Sequence, residues 1–98
     1  MEKDKLITIS EVCNHYNIEV AFVDSLKECE LIEITTIKNS SFIHHEQLRQ
    51  LEKFARLHYD LGINLEGLEV INHLLQRVET MQYEMTALKN RLDRFQDD

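Results

Sequence analysis

The chain has 98 residues, 43% of them hydrophobic, with 18 Asp and Glu against 11 Lys and Arg for a formal charge of −7. That length allows one domain with a modest core, or a small domain plus an extended helix. The acidic balance disfavours polyanion partners and favours basic protein surfaces; no apolar run reaches the roughly 18 residues of a membrane span and no signal-peptide pattern opens the chain, so a cytoplasmic protein is expected.

Thr8-Ile9-Ser10-Glu11 fits a capping box, with Thr8 as N-cap and Glu11 at the third helical position. Ile9, Val12, Cys13 and Tyr16 follow at i, i+3, i+4 and i+7, one apolar stripe of a short helix. Asn17 suits a left-handed stop, and Ile18 would plug the core at the turn. A second helix runs from Glu19 or Val20 to Cys29, with Phe22, Val23 and Leu26 inward and Asp24, Ser25 and Glu28 outward. Two short helices joined by a turn of three or four residues make a helix-turn-helix over residues 8–33.

From Leu31 the period changes. Ile32, Ile34, Thr35, Thr36 and Ile37 favour a strand through β-branching. Lys38-Asn39-Ser40-Ser41 is turn chemistry, and Phe42-Ile43 resumes as a second strand. The pair is a small β-hairpin, or wing. A third helix spans His45 to Leu61, with Leu48, Leu51, Phe54, Ala55, His58 and Leu61 on one face. Gly62 is its stop, and Asn64 caps a fourth helix.

The fourth helix has the strongest periodicity. Ile71, Val78, Met85 and Leu92 fall at a positions, and Leu74, Met81, Leu88 and Phe95 at d positions. Four heptads predict a coiled coil and a homodimer carrying −14. The flanking Arg77, Gln82, Glu84, Lys89 and Arg91 are of mixed sign and leave the choice of parallel or antiparallel pairing open. A helix packed along its own domain is the competing reading. The expected fold is mainly α: a winged helix-turn-helix over residues 1–62 with a small hairpin wing, then a long dimerising helix over residues 63–98.

The second helix has the shape of a DNA reader and the wrong charge for one. It and the residues just after it carry Glu19, Asp24, Glu28, Glu30 and Glu33 against Lys27. Duplex binders neutralise phosphates with Lys and Arg. These five acids are candidates for a partner contact; they read equally well as a solvated face.

Other chemistry has little support. Cys13 and Cys29 sit in apolar patterns and are expected to be reduced and buried. His15, His44, His45, His58 and His73 form no H-x-x-x-H pair, nor the cysteines a C-x-x-C, so no metal site is expected. Two glycines, Gly62 and Gly67, exclude a glycine-rich phosphate loop. No nucleophile elbow or base with an orienting partner is visible, and neither catalysis nor a cofactor is expected. Met81 and Met85 occupy core heptad positions rather than an adaptable groove.

The order of elements resembles that of the MerR-type regulators over residues 6–95. The segments Leu6-Ile7-Thr8-Ile9-Ser10-Glu11-Val12 and Leu61-Gly62-Ile63-Asn64-Leu65-Glu66-Gly67-Leu68 carry the likeness. Where such regulators present an arginine followed by aromatics on the recognition helix, this chain has Asp24-Ser25-Leu26. Where the wing presents an aromatic-arginine pair, it has Phe42-Ile43. These departures are shared with the CbpM-type chaperone modulators. The chain is similar to them over Leu57-His58-Tyr59-Asp60-Leu61-Gly62-Ile63-Asn64-Leu65-Glu66-Gly67 and the terminal Arg91-Leu92-Asp93-Arg94-Phe95. The resemblance implies binding to the J-domain of a DnaJ/CbpA-type co-chaperone, with inhibition of both its co-chaperone activity and its DNA binding. The other readings are a DNA-binding MerR-type regulator and a purely structural coiled-coil dimeriser.

Overall fold

The computed structural model describes residues 5–96. In chain order it contains β1 (Leu6–Thr8), α1 (Ile9–Tyr16), α2 (Val20–Glu28), β2 (Ile34–Ile37), β3 (Ser40–His44), a 3-10 turn (His45–Gln47), α3 (Leu48–Ala55), a π-helical turn (Arg56–Asp60) and α4 (Leu65–Gln96). The architecture is the expected one, mainly helical with a small sheet and a long final helix.

Local chemistry sets most boundaries. The Thr8 hydroxyl accepts from the Glu11 backbone N–H at 3.1 Å and starts α1. Asn17 takes the left-handed conformation at φ 59°, and the Ile18 N–H closes back on the Cys13 carbonyl at 3.0 Å. Ile18 is thereby driven into the core. The same device ends α2. Glu30 is left-handed at φ 61°, with Glu30 N–H donating to Lys27 O and Leu31 N–H to Leu26 O. That is a Schellman closure, with buried Leu31 as its apolar partner.

The sheet has three strands rather than the two of an isolated hairpin. The order is β1-β3-β2, both pairings antiparallel, and Ile43 lies opposite Ile7 on one side and Ile34 on the other. Three residues are too few for alternation to announce β1 in the sequence. Its pairing with β3 supplies the support that a lone hairpin lacks. The β2–β3 turn is also tighter than its four polar residues suggest. Only Lys38 and Asn39 turn, both with positive φ (50° and 67°), while Ser40 and Ser41 belong to β3. A two-residue turn of this kind matches the twist of its strands.

One core joins the helices and the sheet. Val23 and Leu26 of α2, Ile43 of β3, Leu51 and Phe54 of α3 and Leu68 of α4 are fully buried. Each such side chain stabilises the fold by roughly 1.5–3 kcal/mol. Cys13 joins them, whereas Cys29 is only partly buried, a correction to the expectation for that thiol. It follows α2 as a cap residue at the rim of the core.

The segment expected as one helix from His45 to Leu61 is broken into three parts. The π turn widens the spiral after Ala55 and puts later residues out of phase with the α3 stripe. Leu61, expected on the packing face, is consequently 69% exposed. Gly62 stops the turn at φ 70°, and Asn64 Oδ1 accepts from the Gly67 N–H at 2.8 Å to start α4.

α4 has 32 residues and extends about 48 Å at 1.5 Å per residue. Leu68 is buried and Ile71 half-buried, while every residue from His73 to Gln96 is exposed. The helix therefore leaves its own domain after about two turns, and intramolecular packing covers none of the rest.

Candidate functional site

Burial of Phe22, Val23 and Leu26 fixes which side of α2 meets solvent. Asp24 and Glu28 point outward, as their spacing predicts, and so does Lys27, whereas Ser25, expected on the same face, is half-buried. The N-terminus of α2 is pinned from the π-helical turn, 40 positions along the chain. The Glu19 N–H donates to the Tyr59 hydroxyl at 3.2 Å. The rings of Phe22 and His58 stack at 4.7 Å and 15°, and Tyr59 meets Phe22 edge-on at 5.3 Å. The two consecutive aromatic residues of the π turn thus both clamp α2.

The five candidate acids are all exposed, and the fold distributes them. Asp24 lines a groove of about 490 Å³ between the start of α1, the first turns of α2 and the hairpin tip. Ser10, Val20, Asn39, Ser40 and Ser41 share that groove with it, and no Lys or Arg lines it. Glu30 and Glu33 line a separate concavity beside Lys27 and Thr35. The left-handed cap that ends α2 turns Glu30 away from the helix, so it lies beyond the helix whose acidic face it was grouped with.

Glu28 belongs to a third neighbourhood. With Glu66 and Glu69 of α4 it surrounds Cys29 with negative charge. Burial pushes the Cys29 thiol up, a hydrogen bond to Glu69 adds to this, and the three carboxylates reinforce it. Burial also raises the Cys13 thiol, with a smaller contribution from the Asp24 charge. Both thiols are therefore held protonated at neutral pH, the unreactive form.

Sequence reasoning missed the hydroxyl side chains that accompany Asp24. Ser40 and Ser41 read as turn residues, and only the two-residue turn places them in β3 beside α2. Val20 was legible, because it precedes Asp24 by four residues on one helical face. It is 51% exposed and gives the groove an apolar wall. Glu66 and Glu69 carried no signal linking them to Glu28, since that proximity is tertiary.

The eight heptad positions form a second surface. Ile71 is half-buried and Leu74, Val78, Met81, Met85, Leu88, Leu92 and Phe95 are all exposed, Phe95 at 76%. Isolated exposed apolar residues are ordinary, whereas a continuous stripe marks an interaction site. Among the described residues, no group of three His, Cys, Asp or Glu side chains is placed to hold a metal ion. No helix among them is long and apolar enough to cross a membrane.

No curated protein and no solved structure matches the chain. One family does: the model described as MerR HTH family regulatory protein matches residues 7–90, which take in both helices of the helix-turn-helix, the hairpin, α3 and most of α4. The chain belongs to the MerR helix-turn-helix family of regulatory proteins.

Proposed function

We propose that the protein regulates a co-chaperone of DnaJ/CbpA type by covering its J-domain, and that it does so as a homodimer joined through α4. The observation that carries this reading is the outward face of α2. It presents Asp24 and Glu28 to solvent with Lys27 as the helix's one cation, where a DNA reader needs positive charge. The resemblance to CbpM-type modulators supplies the partner: a J-domain presents a basic helix to its chaperone, and an acidic face that covers this helix competes for it. Complementary charge steers such an encounter and selects among partners. The exposed heptad stripe supports the dimer, which doubles the formal charge to −14 and the number of acidic faces to two.

Calorimetric titration of the full chain with a J-domain from a DnaJ/CbpA-type protein tests the reading. Saturable binding that weakens when Asp24 and Glu28 are both changed to Lys supports it. Absence of binding at low salt sinks it. Tight duplex-DNA binding by the wild-type chain, falling steeply with salt, would establish the DNA-reading regulator instead.

A further inference from the structure

The groove that holds Asp24 differs from the other concavities that hold candidate acids. Three elements build it: Ser10 from α1, Val20 and Asp24 from α2, and Ser40 and Ser41 from β3. Its chemistry is a single carboxylate, several hydroxyl oxygens, the Asn39 carboxamide and an apolar wall. A hydroxyl oxygen accepts hydrogen bonds through its lone pairs, and an ionised carboxylate only accepts. A positively charged side chain that ends in N–H donors has the complementary chemistry, and its aliphatic stem has Val20 to lie against. A phosphate is excluded on charge, because no Lys or Arg lines the groove and Asp24 repels it. The start of α1 offers little to an anion, since the Thr8 side chain already satisfies the Glu11 N–H and Glu11 itself sits in that first turn.

The concavity beside Glu30 and Glu33 lacks this selectivity, because Lys27 lines it and offsets the carboxylates. The three acids around Cys29 form a charged patch without hydroxyl acceptors among the groups that act on the thiol.

We propose that the groove between α2 and the hairpin tip is the seat for one lysine or arginine side chain of a helical protein partner, with Asp24 as the anion, Ser10, Ser40 and Ser41 as neutral acceptors and Val20 against the stem. This deepens the preceding reading, resting on its premise that the partner is basic and confining the contact to one of the three acidic neighbourhoods. The other acids act at longer range on encounter rate, which salt screens.

Two-dimensional amide NMR of the isotopically labelled full chain tests the seat without needing the natural partner. The probe is an alanine-based helical peptide with lysine at every fourth position, and its control carries glutamate at those positions. The lysine peptide shifts the amides of Ser10, Asp24, Ser40 and Ser41 most, and the glutamate peptide leaves them in place. Asp24→Asn, an isosteric change at an exposed position, weakens the peptide at least tenfold, while Glu33→Gln changes it less than twofold. Equal losses in the two variants overturn the proposal. So does a response centred on Glu28, Glu66 and Glu69, the absence of any response, or displacement of the peptide by inorganic phosphate at matched ionic strength. A J-domain that fails to bind the wild-type chain overturns the co-chaperone reading alone, and the peptide result still decides the seat.

Discussion

Phe22 and His58 lie face to face, 4.7 Å between ring centroids and 15° from parallel, although 35 positions separate them in sequence. The His58 ring is fixed on its other side as well, with Nδ1 2.8 Å from the Ile63 carbonyl oxygen. A carbonyl only accepts, so Nδ1 carries the proton in this contact. One imidazole therefore ties α2 to the turn that launches α4, and it does so from a π-helical turn. Such turns recur at functional joints of helices. The contact links the base of the long helix to the helix that carries Asp24.

Removing the imidazole tests how much this contact contributes to stability. His58→Ala loses a stacked aromatic contact, of order 1 kcal/mol, and a hydrogen bond, about 1 kcal/mol net. The variant is expected to be about 2 kcal/mol less stable in urea unfolding followed by circular dichroism. Unchanged stability would show that Ile63 and Leu65 hold the joint without it.

The two glycines behave differently for different reasons. At Gly62 a Cβ meets nothing within 4 Å, but φ is 70°, so Gly62→Ala is strained by about 1–2 kcal/mol from backbone conformation alone. At Gly67 a Cβ would lie 2.6 Å from Ile63 Cγ2 and 3.2 Å from the Asn64 cap oxygen. The ordinary gain of about 1 kcal/mol for Ala over Gly in a helix is reversed there, and Gly67→Ala destabilises. Equilibrium unfolding of both variants distinguishes strain from collision, since Gly62→Asn recovers stability whereas no residue with a Cβ does so at position 67.

The exposed stripe on α4 is the proposed dimer contact. Truncation after Glu79 removes Met81, Met85, Leu88, Leu92 and Phe95 while leaving every buried core residue in place. Sedimentation equilibrium is expected to show a dimer for the full chain and a monomer for the truncated one, with at least a hundredfold rise in dissociation constant. A monomeric full chain at tens of micromolar would refute the assembly.

Charge at Asp24 is expected to govern nucleic-acid affinity. The wild-type chain is expected to bind duplex DNA only weakly. Asp24→Lys removes a repulsion and adds a cation, and each phosphate it engages steepens the salt dependence by about 0.9 in log–log slope. Fluorescence anisotropy between about 50 and 200 mM salt, the interval over which such contacts weaken markedly, measures the change. An unaltered slope would place α2 away from any path a duplex takes.

The thiols give a pH signature. Both Cys13 and Cys29 have raised pKa values when folded. Above the ordinary thiol range the unfolded chain has released protons that the folded chain retains, so the unfolded state binds fewer protons and stability falls as pH rises. Below that range both states are protonated and the thiols contribute no slope. Cys13→Ala is expected to flatten the alkaline limb of a stability–pH profile. Alkylation of Cys29 by iodoacetamide is expected to run slower than that of a free thiol at neutral pH, and Glu69→Gln is expected to speed it by lowering the thiol pKa.

Much of the fold is legible residue by residue. Thr8 and Glu11, Asn17, Gly62 and Asn64 each mark a boundary through a hydrogen bond or a backbone conformation that a neighbour of a different type would not supply. The stripes through Phe22, Val23 and Leu26, and through Leu51 and Phe54, reach the core as their spacing requires. Such signals are local, since they depend on side chains within one turn of each other. The heptads of α4 are legible for the same reason, and their solvent exposure in one copy follows from helix length alone.

What the sequence determined by itself is therefore the order of the helices and the hairpin, the inward stripes of the short helices, and an acidic second helix in the position of a DNA reader. Tertiary structure decided the rest. It paired Leu6–Thr8 with β3, drew His58 and Tyr59 onto α2 through a widened turn, and turned Leu61 out to solvent. It also placed Asp24, Glu28 and the pair Glu30 and Glu33 in separate neighbourhoods, leaving Asp24 with the hydroxyls of Ser10, Ser40 and Ser41. Spacing along a helix fixes where a side chain points, but what it meets there depends on residues brought in from other strands and turns, and no local pattern encodes that encounter.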